Sequence, residues 1–215
     1  MELSMPYLVL KWNGDSSPVE AGEPDDFVYE YNGSIFSLDD NENETLVGRF
    51  RLFYVDLDAS SMSVYDTLNA RQETFAFYTP LFNQRTGDYK ESIYNQVEDL
   101  IHRNLLILDR VEILPKFRGR NIALIVMRRL IERFGQGAGL VALKAYPLQF
   151  EAADKNRDGW RGKMALKSFA SDEKTCTAKL KKHYKRLGFL TVRGTPFMVW
   201  STAFRLPSIE DFLHK

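Results

Sequence analysis

The residues that most invite chemistry lie in one turn, Pro115-Lys116-Phe117-Arg118-Gly119-Arg120-Asn121-Ile122-Ala123. Arg118 and Arg120 flank a glycine just ahead of a helix start, where unpaired backbone N–H groups and the positive end of the helix dipole favour an anion. A phosphate-bearing ligand is the natural occupant, and a solvated turn is the alternative. Three other signals carry less. Asp154-Lys155-Asn156-Arg157-Asp158-Gly159 copies the opening of a calcium loop, but the twelfth position is Ala165 rather than glutamate and two cations stand among the ligands, so calcium is not expected. The lone Cys176 has no readable Cys/His arrangement around it and is expected to be a buried or partly buried thiol. Lys179, Lys181, Lys182, Lys185 and Arg186, with Arg128 and Arg129, read as a solvated helix face rather than an RNA-binding face.

The elements that must position the turn are the clearest in the chain. Residues 104–114 form a strand, apolar on both faces in its first half and polar on alternate positions in its second. Ile122, Val126, Leu130 and Phe134 make one stripe of a helix over 122–134, stopped by Gly135, and 140–143 is another buried strand. Strand, turn, helix and strand make a βαβ unit with parallel strands and a right-handed crossover. A basic helix is expected over 173–187, ended by Gly188, and then a closing antiparallel pair, 189–192 and 196–201, across Arg193-Gly194-Thr195. Earlier in the chain, 6–12 reads as a strand ending in the turn formers 13–18. Residues 27–31 and 34–38 flank Asn32-Gly33, a strong hairpin signal, and 46–57 is a long strand. An amphipathic helix is expected over 64–81, closed by Pro80, and a second over 88–101. Residues 151–172 read as an inserted polar, basic loop near the substrate cleft.

Val111-Glu112-Ile113-Leu114-Pro115 followed by Arg118-Gly119-Arg120-Asn121-Ile122-Ala123 resembles the cofactor motif of the GNAT N-acetyltransferase superfamily, with Asn121 where the family has its second glycine. Roughly 60 residues on, His183-Tyr184-Lys185-Arg186-Leu187-Gly188-Phe189 is similar to the family's second signature, in the family's order. The family's asparagine and alanine upstream in that helix are Thr177 and Leu180 here. The resemblance covers 104–192. It implies a single α/β domain of the α+β type. The sheet is then mixed and mostly antiparallel, splayed between two parallel central strands, with helices on both faces. It implies that Val111 and Ile113 offer backbone groups to the pantetheine arm of acetyl-CoA, while the amides of Arg118, Gly119, Arg120, Asn121, Ile122 and Ala123 hold the pyrophosphate.

The activity implied is direct acetyl transfer to a primary amine in a ternary complex. An amine near its reference pKa of about 10.4 must lose a proton before it attacks, and the departing CoA thiolate must gain one. Tyr184 is the expected acid. Glu112 is the first candidate base; Asp109, three residues earlier in the strand, should face the other way, so that only one of the two looks into a given cleft. Ordered water is the other route. His183, about 100° from Tyr184 around the helix, is expected at the surface.

The 215 residues suit one domain: N-terminal strands and acceptor-side helices (1–103), the acetyl-CoA-binding core (104–192), and a closing strand and tail (193–215). Lys plus Arg and Asp plus Glu both total 29, so no global field draws the protein to nucleic acid or an anionic membrane. A single cysteine fits a reducing, cytoplasmic setting, and no stretch approaches the roughly 20 apolar residues of a spanning helix. The chain therefore reads as soluble and unprocessed. The expected cosubstrate is acetyl-CoA, with no metal; the expected partner is an amine, a small molecule being favoured over a peptide or protein amine. A homodimer stays open. The competing reading is a non-catalytic acyl-CoA-binding or regulatory module. An acetyltransferase acting on charged transfer RNA has only the basic helix in its favour.

Overall fold

The computed structural model describes residues 7–14, 22–97, 100–151 and 159–213. In chain order these form β1 (Tyr7–Gly14), β2 (Val28–Leu38), β3 (Glu44–Val55), the short helices α1 (Val64–Asn69), α2 (Gln72–Phe75), α3 (Tyr78–Leu81) and α4 (Glu91–Val97), then β4 (Leu105–Ile113), α5 (Ile122–Phe134), β5 (Leu140–Lys144), α6 (Trp160–Lys163), α7 (Glu173–Lys185), β6 (Leu190–Thr191), β7 (Phe197–Ser201) and α8 (Glu210–Leu213). Among these residues seven strands make one open sheet, ordered β1-β2-β3-β4-β5-β7-β6. All neighbours are antiparallel except β4 and β5, which run parallel. No helix of the described residues is long and apolar enough to cross a membrane.

Alternation along the strands divides the core into two layers. Leu106, Leu108, Val141 and Met198 point to the side covered by α5, while Leu105, Ile107, Ala142 and Val199 point to the side covered by α1 to α4. Helices thus cover both faces. Leu124, Val126 and Leu130 of α5 are at most 1% exposed, and burial of each contributes about 1.5–3 kcal/mol. The N-terminus of α7 is capped by Asp172, whose carboxylate accepts from the Thr175 amide at 2.7 Å.

Three expectations fail locally. Asn32-Gly33 does not turn: β2 runs straight through it, pairing with β1 on one side and β3 on the other. The glycine serves a close approach instead, because a Cβ there would overlap the Phe50 ring. β1 likewise extends through Asn13 and Gly14, which were expected to turn. The single helix over 64–81 is three short ones. The Thr74 hydroxyl donates to the Leu68 carbonyl at 2.6 Å, satisfying an end of α1 in place of a continuing helix, and Arg71 is extended. The helix expected over 88–101 is the shorter α4, and residues 98–99 lie outside the described residues. So does 152–158, which contains most of the calcium-like segment; the rest of that loop forms α6 with Trp160 buried.

Candidate functional site

β4 and β5 are paired at only three positions, Leu105 with Leu140, Leu106 with Val141 and Ile107 with Ala142. Both strands continue beyond the last pair, and there a cleft of about 800 Å³ opens. Its walls are the second half of β4, the turn and first residues of α5, the segment 144–151, and the inner face of α7 from Cys176 to Tyr184.

The turn presents a row of donors. The amides of Gly119, Arg120, Asn121, Ile122 and Ala123 have no partner among the described residues, and Gly119 and Asn121 both take left-handed backbone angles, φ 77° and 57°. A Cβ on Gly119 would meet nothing within 4 Å, so the backbone is open on that side. Asn121 supplies the left-handed angle that glycine would otherwise supply, a conformation asparagine tolerates better than most residues. Its side chain turns away from the cleft: Nδ2 donates to the Phe212 carbonyl at 2.6 Å, and Arg186 Nη1 donates to Oδ1 at 2.7 Å.

The structure narrows the expected donor set at Arg118. Its amide donates to the Pro115 carbonyl, Nε donates to the Ile113 carbonyl at 2.8 Å, and Nη2 donates to the Met164 carbonyl at 2.6 Å. Arg118 therefore ties the end of β4 to α6 with its amide, Nε and Nη2 all engaged, and the Ile113 carbonyl is already engaged. Arg120 contributes its amide position, but its side chain does not line the cleft. Val111 and Ile113 lie on the α5 side of β4 and line the cleft.

Tyr184 faces the cleft from α7 across from this turn. Its ring packs against the core, and its hydroxyl has no partner among the described residues. Burial pushes the phenol pKa up to about 12, so the hydroxyl keeps its proton through the alkaline range. His183, expected at the surface, is half-buried and also lines the cleft beside Tyr184. Burial, and then the charge of Arg186, hold its imidazole below the ordinary pKa, so at neutral pH it is uncharged. Cys176, two turns before Tyr184, is half-buried; Gln149 Nε2 donates to its sulfur at 3.3 Å. The expected basic face disperses. Arg186 turns inward to Asn121, Arg128 Nε donates to the Pro207 carbonyl, Lys181 Nζ donates to the Thr195 carbonyl, and Lys179 lines the cleft.

The expectation for Asp109 and Glu112 is overturned. Arg51 of β3 pairs with Arg110 and the next residue, Leu52, pairs with Leu108, so Asp109 is an extra residue in β4. This bulge shifts the alternation by one, and Asp109, Arg110 and Glu112 all face away from α5 and line the cleft. Asp109 Oδ2 accepts from Arg51 Nε at 2.8 Å and from Arg110 Nε at 2.9 Å. Glu112 is 7% exposed: Trp160 Nε1 donates to Oε2 at 2.8 Å, Arg110 Nη1 stands 3.6 Å from Oε1, and the Arg49 guanidinium lies 4.2 Å above the Trp160 ring.

Sequence reasoning missed a second cavity, of about 570 Å³, on the same face of β1 to β4. Arg51, Arg110 and Glu112 line both spaces. The signal for it was a set of polar residues at alternate positions of four strands, which only the register aligns.

Compared with protein-family models, curated proteins and solved structures, the chain matches none.

Proposed function

We propose that this protein is an acetyltransferase of GNAT type, moving an acetyl group from acetyl-CoA to an amine within one cleft. The observation that carries the reading is the cleft between the parted strands β4 and β5, with unpaired amides on one wall and an unpartnered, buried-ring tyrosine hydroxyl on the other. Five amides at a helix start suit a pyrophosphate, and a cleft of about 800 Å³ has room for a cofactor-sized ligand.

In this reading the neutral amine attacks the thioester carbonyl carbon, a C–N bond forms and the C–S bond breaks. The CoA sulfur leaves as thiolate and takes its proton from the Tyr184 hydroxyl. The raised pKa of Tyr184 keeps that proton in place at any ordinary working pH. The attacking nitrogen gives up its own proton to Glu112 or to water in the cleft. Of the two carboxylate oxygens Oε2 is occupied by the Trp160 N–H, while Oε1 faces the Arg110 guanidinium at 3.6 Å and would take the proton.

Calorimetric titration with acetyl-CoA tests this directly. Wild type binds saturably, Gly119→Asp loses binding because a carboxylate enters the row of amides, and Tyr184→Phe binds but transfers slowly. Absence of binding to acetyl-CoA and to longer acyl-CoAs would remove the transferase reading. Binding without transfer to any of a broad set of amines would favour a non-catalytic acyl-CoA-binding module.

A further inference from the structure

The second cavity is floored by two cross-strand rows. Register places Lys11, Ser34, Arg49 and Glu112 side by side on β1, β2, β3 and β4, and beside them Asn13, Asn32, Arg51 and Arg110. All eight residues line the cavity. Four cations and one carboxylate line it; that carboxylate is held by Trp160, and Lys11 is paired with Glu44 at 2.6 Å. The remaining groups, two amides and a hydroxyl, can all donate.

Like charges directly opposite each other destabilise a sheet, yet Arg51 and Arg110 are register partners. The bulged Asp109 compensates, accepting from Nε of both. Their outer ends remain: Arg51 Nη1 reaches Glu73 at 3.0 Å and Arg110 Nη1 reaches Glu151 at 3.4 Å, while Nη2 of each has no partner among the described residues. Two neighbouring guanidinium groups, each held at Nε by Asp109 and each with Nη2 unpaired among the described residues, form a fork for a carboxylate or phosphate. The fork lies where the cavity joins the cleft, on the β4 face that carries Glu112.

We propose that this cavity is the acceptor's tail site and that the acceptor is an amine bearing an anionic group, a carboxylate or a phosphate, gripped by Arg51 and Arg110. The inference rests on the transferase reading for the identity of the ligand as an acceptor. The site itself is testable without it.

The experiment uses two matched pairs of probes: O-phosphoethanolamine against ethanolamine, and 4-aminobutyrate against butylamine. Each is titrated calorimetrically into wild type, Gly119→Asp, Arg51→Gln and Asn32→Asp, and each is also offered with acetyl-CoA while release of CoA thiol is followed. The anionic member of at least one pair binds about tenfold or more tightly than its uncharged-tail counterpart, since charge-assisted bidentate contacts are worth at least that factor. Which pair responds tells phosphate from carboxylate. The preference persists in Gly119→Asp and collapses in Arg51→Gln. It also collapses in Asn32→Asp, which sets a carboxylate beside Arg51 without changing shape and so guards against a folding defect in the arginine variant. Equal binding or turnover of both members of each pair overturns the proposal while leaving the transferase reading intact. Selective binding of the anionic probes with no acetyl transfer keeps the anion site but overturns its assignment as the acceptor's tail site, while the transferase reading still stands or falls on acetyl-CoA binding.

Discussion

Asn121 joins three parts of the molecule, and removing its side chain should cost more than any surface substitution. Asn121→Gly keeps the left-handed angle without strain but deletes two hydrogen bonds, one to the Phe212 carbonyl and one from the Arg186 guanidinium. A neutral bond is worth about 1 kcal/mol and one to a charged group about 1.5–3 kcal/mol. Arg186 Nη2 is already buried without a partner, so the guanidinium has nothing to fall back on. The expected loss is about 3 kcal/mol, a large share of the roughly 5–15 kcal/mol that holds a typical domain together. Asn121→Ala should lose about 1 kcal/mol more, because alanine resists the left-handed region. Urea unfolding followed by circular dichroism measures both. With a slope of about 2 kcal/mol per molar, the glycine variant's midpoint should fall by roughly 1.5 M, and the alanine variant's further. If both variants unfold within about 0.5 kcal/mol of wild type, the Asn121 contacts hold nothing and the account of this turn is wrong. If the glycine variant falls but alanine falls no further, the left-handed angle is not enforced.

Other outcomes follow from single features. Tyr184→Phe should retain acetyl-CoA binding and lose about 10²–10⁴ in transfer rate; loss of binding and rate together would demote the residue to packing. Because burial raises the Tyr184 pKa to about 12, the phenol's alkaline limb should lie well above the reference value of about 10, and a Tyr184-dependent inflection near pH 10 would contradict the buried placement. His183 has a lowered pKa in the folded state, so its contribution is full above the unfolded value of about 6.5 and is lost as pH falls through the lower folded value. The stability of wild type should therefore drop more than that of His183→Gln between about pH 7.5 and pH 5, as read by paired urea titrations. Gly33→Ala should destabilise by about 1–3 kcal/mol through overlap with Phe50; a neutral result would mean that the strand shifts freely.

The βαβ unit was legible because its signals are local. The stripe Ile122, Val126, Leu130, Phe134 closed by Gly135 defines α5 without reference to anything distant. The row of unpaired amides followed for the same reason: glycine, asparagine and a helix start are neighbours in sequence. What was illegible depends on partners far along the chain. Asn32-Gly33 carries a turn signal as strong as any, but Phe50 and two flanking strands decide its conformation. Counting along β4 put Asp109 and Glu112 on opposite faces, and only the pairing with Arg51 and Leu52 reveals the inserted residue that brings them together. The cationic cavity is the extreme case. Its eight floor residues come from four strands spread from Lys11 to Glu112, and no strand contributes more than two of them.

Trp160 stands at the junction of the two spaces, its indole N–H on the Glu112 carboxylate and its ring beneath the Arg49 guanidinium. An indole excited state is sensitive to such neighbours: a carboxylate on the N–H and a cation over the ring both tune emission colour and yield. Of the chain's three tryptophans, Trp200 is in the α5-side core, while Trp12 lines the cavity from the edge strand β1 and sits against Phe134. The protein therefore carries a built-in optical reporter at the point where a ligand in either space would disturb the same carboxylate. Occupancy of either space should shift the Trp160 emission in unlabelled protein, with Trp160→Phe as the blank.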